Sequence, residues 1–509
     1  MFSFISRRVL AGLATLLVST FAMYLLVDAA IRPYIFADLE SSTKPNKAQL
    51  IAQRTADLDL DTPSVIRYFK WLGDFVTGDL GTAWQSGQSV STLLQGAVIS
   101  TIQLVAAATV LAVVFGVMVG IVSALRQYST FDYLTIFVSF VLYSLPAFWV
   151  AVLLKQWGAI GFNDFLRDPN LSILVIVGIG AISGLLWSLA FGGTARRRLT
   201  VFGLGFAAST LALLYLQLSG WWEKPNLGPV IIVVTGAALA FAITALVSGL
   251  KNRRALYASL TTVLIGVVVY FPIQSVLKQV DNWWIVLVLA VVTVGVGIGV
   301  GYAWGGPDKG VSARAAAITA FLVGSMVFVD KVMSVWPAYF GAPAINGRPI
   351  PTIGNSTPNL GGNFWVQVLD QYTHLLLPTI ALVLIQFAGY TRYSRASMLE
   401  VMSQDYIRTA RAKGLPERTV VMRHGFRNTL IPLATIVPID VITLLGGAII
   451  TEKVFARPGM GLLFLNALQR GEIDPVMAYL VIVAALAIIA NIVADLIYAA
   501  LDPRIRVNA

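Results

Sequence analysis

Cysteine is absent from this sequence, and histidine occurs only twice. The first absence excludes disulfides, thiolate chemistry and cysteine-ligated metals, although it does not choose a compartment. The second leaves His374 and His424, far apart and without the spacing of a zinc site, so no metal centre is expected. Nucleotide and nucleophile signatures are missing too. No G-x-x-x-x-G-K-[ST] loop occurs, the stretch Gly305 to Gly310 lacks its spacing, and no G-x-S-x-G elbow is found. These absences argue against an enzyme and against an ATP site on this chain. Charge is also scarce, at 12% of residues against about 25% in soluble domains.

What fills the chain is apolar: 57% of its 509 residues are hydrophobic. A soluble core of this length cannot hide so much apolar surface, so lipid must cover much of it. The apolar residues fall in runs of about 20, the length at which one helix crosses a bilayer. A β-barrel would show short alternating segments instead, and none are evident. The expected fold class is an all-α integral membrane protein of about twelve transmembrane helices. Candidate spans lie near 9–30, 98–124, 133–155, 171–190, 199–219, 229–250, 256–276, 283–304, 314–335, 374–394, 430–451 and 477–501. The first follows Arg7 and Arg8. Its apolar stretch is too long for a signal core and no small-residue cleavage site follows, so it reads as a retained span.

Loop charges set the orientation. With the N-terminus inside, the inner loops carry Arg126, then Arg196 to Arg198, then Lys251, Arg253 and Arg254, then Lys309 and Arg314, then a dense basic set in 392–429. The tail adds Arg504 and Arg506. Every inner loop is basic, while the outer segments are richer in Trp and Tyr, as the positive-inside rule and the aromatic belt require. The chain is therefore expected in the plasma (inner) membrane, multi-pass, with both termini cytoplasmic. The net charge of +11 is explained by these loops, and nucleic acid is not an expected partner.

Two loops stand out. The outer segment 31–97 contains a helical stretch from Lys47 to Leu58 and a helix start at Asp61-Thr62-Pro63. Tyr68, Phe69, Trp71 and Phe75 follow at helical spacing, which suits either a helix lying on the outer leaflet or a small cap that receives a partner protein. The inner segment from Arg392 to Pro432 is helical in composition and broken at Gly414-Leu415-Pro416, so two short helices are expected to meet at a glycine hinge. Ala410 and Ala412 leave little bulk, and another protein could approach the backbone there.

The run Asp405-Tyr406-Ile407-Arg408-Thr409-Ala410-Arg411-Ala412-Lys413-Gly414-Leu415 resembles the coupling-loop motif of ABC importer permeases, in the dipeptide, oligopeptide and nickel branch. Other blocks agree. They are Leu60 to Pro63, Gly78-Asp79-Leu80-Gly81, Ser144 to Phe148, Val454 to Gly461 and Asp502 to Arg506. The family's usual Pro-Gly-Asp-Pro-like element after the first span is replaced by Asp28 to Pro33. The resemblance covers about 1–160 and 345–509. It implies a six-helix permease core whose first half is 1–160, with three spans and the outer segment 31–97. The second half is 341–509, with the cytoplasmic coupling loop 395–429. About six inserted spans of unknown role occupy 161–340.

The same resemblance implies a heterodimer with a second permease subunit, two ATPase subunits that bind ATP and magnesium, and an extracellular solute-binding protein. No cofactor is expected on this chain itself. Coupling to the ATPases would run through Asp405, Tyr406, Arg408, Ala410, Arg411, Ala412, Lys413, Gly414 and Leu415. Glu452 and Arg457 would help gate the path. Charges within spans are functional candidates because lipid burial is costly, which adds Asp440 and Asp495 as possible path residues. Gly116 and Gly120 are expected to allow close helix packing. The carried solute would be a peptide or similar small solute. Two other readings are a twelve-span ion-driven secondary transporter, which would usually show two similar halves not seen here, and a non-transport membrane scaffold.

Overall fold

The structure, a computed structural model, describes residues 2–40 and 46–501. It is helical almost throughout. Among the described residues the only sheet is a two-stranded ribbon pairing Thr82 with Ser89 and Ala83 with Gln88. Ten helices among the described residues are long and apolar enough to cross a membrane, and one bent pair makes an eleventh. The final helix, Ile473–Leu501, takes the twelfth expected position.

The core is built on two long parallel neighbours, α4 (Val90–Leu125) and α13 (Phe364–Met402), whose contacts advance together along both chains. The earlier helices are α1 (Phe2–Ile35), α2 (Lys47–Asp57) and α3 (Ser64–Thr77). Ala112, Val117 and Ile121 of α4 pack with Tyr390 and Met398 of α13. At Gly116 and Gly120 the helices approach so closely that an added Cβ would strike Tyr390, Thr391 and Ser394, so both glycines serve helix contact, as expected. Helices α15 (Phe426–Gly447) and α18 (Ile473–Leu501) lie against each other, and α1 closes the core against α18.

The expected span 133–155 is not one straight helix. Helix α5 (Thr130–Ser144) ends at Leu145, and α6 (Ala147–Leu153) leaves at 100° after Pro146, continuing through a π-helical turn to Arg167. Proline has no amide to continue the ladder and forces the preceding residue extended, which breaks the rod here. Leu145 is extended, at ψ 129°.

The segment 161–340 forms two packing units. Helices α7 (Ile173–Phe191) and α8 (Ala195–Leu218) make a hairpin that leans on α5. Ile176, Gly180, Gly184 and Ser188 form the buried stripe of α7, against Phe202 and Phe206 of α8. Helices α9 (Gly228–Val247), α10 (Arg253–Lys278), α11 (Trp283–Trp304) and α12 (Lys309–Ser334) form a four-helix bundle that docks on α13. Gly297 and Gly301 of α11 meet the alanine-rich face of α12 at 313–320. Small residues at four-residue spacing let backbones approach where lipid offers no hydrophobic drive. At the Lys278 end of the bundle Trp365 Nε1 donates to the Leu277 carbonyl (2.6 Å), tying bundle to core. At the other end the Arg418 guanidinium covers Gly249, in the turn between α9 and α10.

Candidate functional site

The basic loop folds as the sequence predicts, with one addition. After α13, a short helix α14 (Asp405–Ala412) runs to Lys413 and stops at Gly414, whose φ is +71°. The Gly414 amide donates to the Arg411 carbonyl (2.9 Å) and the Leu415 amide to Ala410 (3.3 Å), a Schellman closure that needs the left-handed residue. The chain then re-enters the membrane through π-helical turns at Val420–Gly425 and continues as α15. The second short helix is thus a π-helical lead-in to the span.

Helix α14 has two faces. Ile407 and Ala410 are buried against Met402 and Val420. Asp405, Tyr406, Arg408, Arg411, Ala412, Lys413, Gly414 and Leu415 are exposed. Ala410 therefore belongs to the inward face and Ala412 to the outward one. Arg411 grips Glu417 across the hinge through Nη2 (2.7 Å) and Nε (3.1 Å), which raises the guanidinium pKa above its ordinary value. Asn428 donates to the Tyr406 hydroxyl (2.8 Å), joining α14 to α15. Two parts of this device were missed from sequence. Ile407 is the anchor on the buried face, and Glu417 is the carboxylate that spans the glycine. A basic residue before the hinge and an acidic one after it was the available signal for the second.

The long rod α13 carries this segment, and Arg395 near its inner end is bidentate to Asp132 at 2.7 and 2.9 Å. Asp132 also accepts from Ser123 Oγ and the Tyr128 amide. The segment is thereby fixed to the turn between α4 and α5.

The candidate path residues do not all meet. Glu452, on α16 (Ile449–Val454), is fully buried. It accepts from Thr101 Oγ1 (2.6 Å) and from the Leu462 amide at the start of α17 (Met460–Arg470), at 3.0 Å. Thr101 accepts in turn from the Met460 amide (2.8 Å). Gly459 leaves the space that the Glu452 carboxylate occupies, since a Cβ there would strike it, and a Cβ on Gly461 would strike Ile449. Arg457 is 2% exposed and reaches Gln103 Oε1 (3.3 Å) and the Ser100 carbonyl (3.5 Å), while its Nε and Nη1 have no hydrogen-bond partner among the described residues. Glu452 and Arg457 thus share one buried turn against α4. Asp440 stands apart, half-buried on α15 beside Tyr390 of α13. The side chain of Asp495 and the block Asp502 to Arg506 lie outside the described residues.

The outer segment is docked on the chain's own core. Asp28 of α1 accepts from Arg67 Nη2 (2.5 Å) and Ser64 Oγ (2.6 Å) of α3, and from Arg32 Nε (3.3 Å). Tyr68 and Trp71 pack with Phe21 and Tyr24 of α1, while Ile66, Phe69 and Val76 remain exposed. Trp84 Nε1 donates to the Gly471 carbonyl (3.1 Å), which carries the ribbon onto the end of α17. Pro63, not Asp61 or Thr62, holds the N-cap position of α3, and Thr62 donates to Asp59. Lys70 bonds the same Asp59 carboxylate and holds its pKa below the ordinary value.

Residues 257–507, about half of the chain, match the family described as binding-protein-dependent transport system inner membrane component. That stretch is similar to this family. The match begins at α10, inside the segment expected as an insertion, and runs through α14 and the Glu452 turn. Over 162 residues the chain is 41% identical to the oligopeptide transport system permease protein AppB of Bacillus subtilis, covering 32% of this chain and 50% of that protein. Over 188 residues it is 37% identical to the oligopeptide transport system permease protein OppB of Mycobacterium bovis, covering 37% and 56%. Over 145 residues it is 44% identical to the dipeptide transport system permease protein DppB of Escherichia coli, covering 28% and 42%. The chain spans about half the length of these curated relatives.

Proposed function

We propose that this chain forms half of the translocation path of an ATP-driven importer for peptides or similar small solutes. The observation that carries the proposal is the helix Asp405–Ala412, presented at the end of the long rod α13 and closed by Gly414 and the Arg411–Glu417 pair. An exposed short helix held rigidly to two spans is what a docking ATPase needs in order to move them. The relatives' names, which concern oligopeptide and dipeptide transport, support the solute class.

In this reading a second permease subunit completes the path and two ATPase subunits, carrying ATP and magnesium, dock on the coupling segments. An external solute-binding protein delivers the cargo. ATPase closure draws the coupling segments together, and the spans switch from inward-facing to outward-facing. The turn at 452–461 takes part in gating. Both termini face the cytoplasm of a plasma-membrane protein, in line with the basic inner loops. Of the segment 161–340, the part before residue 257 lies outside the family match, while the rest of α10, α11 and α12 falls within it.

The test is mild detergent purification of the tagged chain with mass identification of what stays bound. A second permease and P-loop ATPases are expected. A chain that emerges alone, and transports in response to an ion gradient without ATP, would overturn the proposal.

A further inference from the structure

Within the inserted bundle, α10, α11 and α12 enclose a cleft of about 430 Å³. Its walls include Val269, Ile273, Leu289, Val323 and Phe328, with Trp283 and Tyr372 toward the outer end. Val292 and Phe321 at its margin are exposed, so the cleft opens sideways, toward where lipid would lie.

At the outer end two cations lack partners. Lys331 is only 7% exposed, and it follows the wall residue Phe328 by three positions, on the same helix face. Lys278 follows the wall residue Leu277, which packs in one buried cluster with Val332, the neighbour of Lys331. Neither ammonium forms an ion pair or hydrogen bond among the described residues. The adjacent Asp330 is engaged elsewhere. It accepts from the Leu227 and Gly228 amides (2.8 and 3.0 Å) at the start of α9 and from the Tyr270 hydroxyl (2.8 Å). A lysine whose side chain is held largely out of water, with a second lysine at the same end of the bundle, favours a further anion there.

From this juxtaposition we infer that the inserted bundle holds an anionic phospholipid, one acyl chain in the α10–α12 cleft and the phosphate between Lys278 and Lys331. An acyl chain matches the apolar walls and the sideways opening. A headgroup phosphate at the outer interface supplies the missing negative charge. The inference is independent of the transport proposal, because it concerns binding by the bundle alone.

The test is native mass spectrometry of the full-length chain, stripped in detergent and titrated with phosphatidylglycerol or with phosphatidylcholine of the same acyl chains. Phosphatidylglycerol should bind about tenfold more tightly, the ratio that one charge-assisted contact supplies. The exposed-site variant Lys278→Met, which leaves the buried positions intact, should lose most of that preference. Lys278→Met/Lys331→Met should lose all of it, and Ala290→Trp at the cleft wall should weaken both lipids. Equal binding of the two lipids to the native chain would overturn the inference, since only annular lipid would then be present. An unchanged preference in both lysine variants would overturn it too. So would inorganic phosphate binding that Ala290→Trp leaves untouched, because the acyl chain would then play no part.

Discussion

Arg395 of α13 and Asp132 of α5 form a two-pronged ion pair across 263 positions of sequence, with the carboxylate 1% and the guanidinium 21% exposed. It locks the rod that carries α14 to the turn after α4. Removing one partner leaves a buried charge without compensation, which costs about 3–5 kcal/mol. Arg395→Leu is therefore expected to lower the thermal unfolding temperature in detergent markedly. Arg395→Lys, which keeps the charge but loses the fork, should fall between the two. An Arg395→Leu protein as stable as the parent would show that the pair holds nothing together.

Gly414 separates coupling from stability. Its φ is +71°, yet no atom lies within 4 Å of where its Cβ would stand. A side chain there meets strain in the backbone only, about 1–2 kcal/mol. Gly414→Val should insert and purify normally but transport poorly and retain less ATPase, while Gly414→Asn should keep more of both, because Asn tolerates the left-handed region. Transport assays and co-purification measure the two effects separately. Normal transport in Gly414→Val would remove the coupling assignment.

The inner hinge was legible because few residues other than glycine suit a Schellman closure, and Gly414-Leu415-Pro416 marks it in one line. The spans were legible as apolar runs, but such runs mark the lipid-facing stretch and not where the helix stops. Helix α13 therefore begins at Phe364, ten positions before the expected span, because Asn363 caps it by accepting from the Val366 amide. The bend after Ser144 was visible only as Pro146, with no hint of its angle. Contacts such as Arg395 to Asp132, or Arg418 over Gly249, join residues too distant in sequence for any local pattern to expose.

The Glu452 turn makes a prediction about coupling between neighbours. Gly459 leaves room for the Glu452 carboxylate, so Gly459→Ala must displace it from Thr101 and the Leu462 amide. Loss of those bonds to a charged group costs about 1.5–3 kcal/mol each. Glu452→Ala alone should destabilise similarly, by leaving the Leu462 amide and Thr101 without their acceptor. The double variant should be less damaged than the sum of the two, with an interaction energy of about 0.5–3 kcal/mol. A double-mutant cycle on thermal unfolding measures it. Strict additivity would mean that the two residues do not compete for one space.

Asp28 predicts how the outer segment is held. Its carboxylate is the common acceptor for Arg67, Ser64 and Arg32, and Arg67 is only 4% exposed. Asp28→Asn keeps the shape but removes the charge, leaving Arg67 facing an amide. The buried guanidinium then favours leaving its site, and α3 should loosen from Phe21 and Tyr24 of α1. Limited proteolysis should cut between residues 46 and 89 faster in Asp28→Asn than in the parent. The helices of the inner half, including α14, should keep their protection. Arg67→Met should be milder than Asp28→Asn, because a methionine can share the aromatic site of Tyr68 and Trp71 while Asp28 keeps Ser64 and Arg32. If both variants resist protease as the parent does, α3 is held by its aromatic packing alone and the ion pair is incidental.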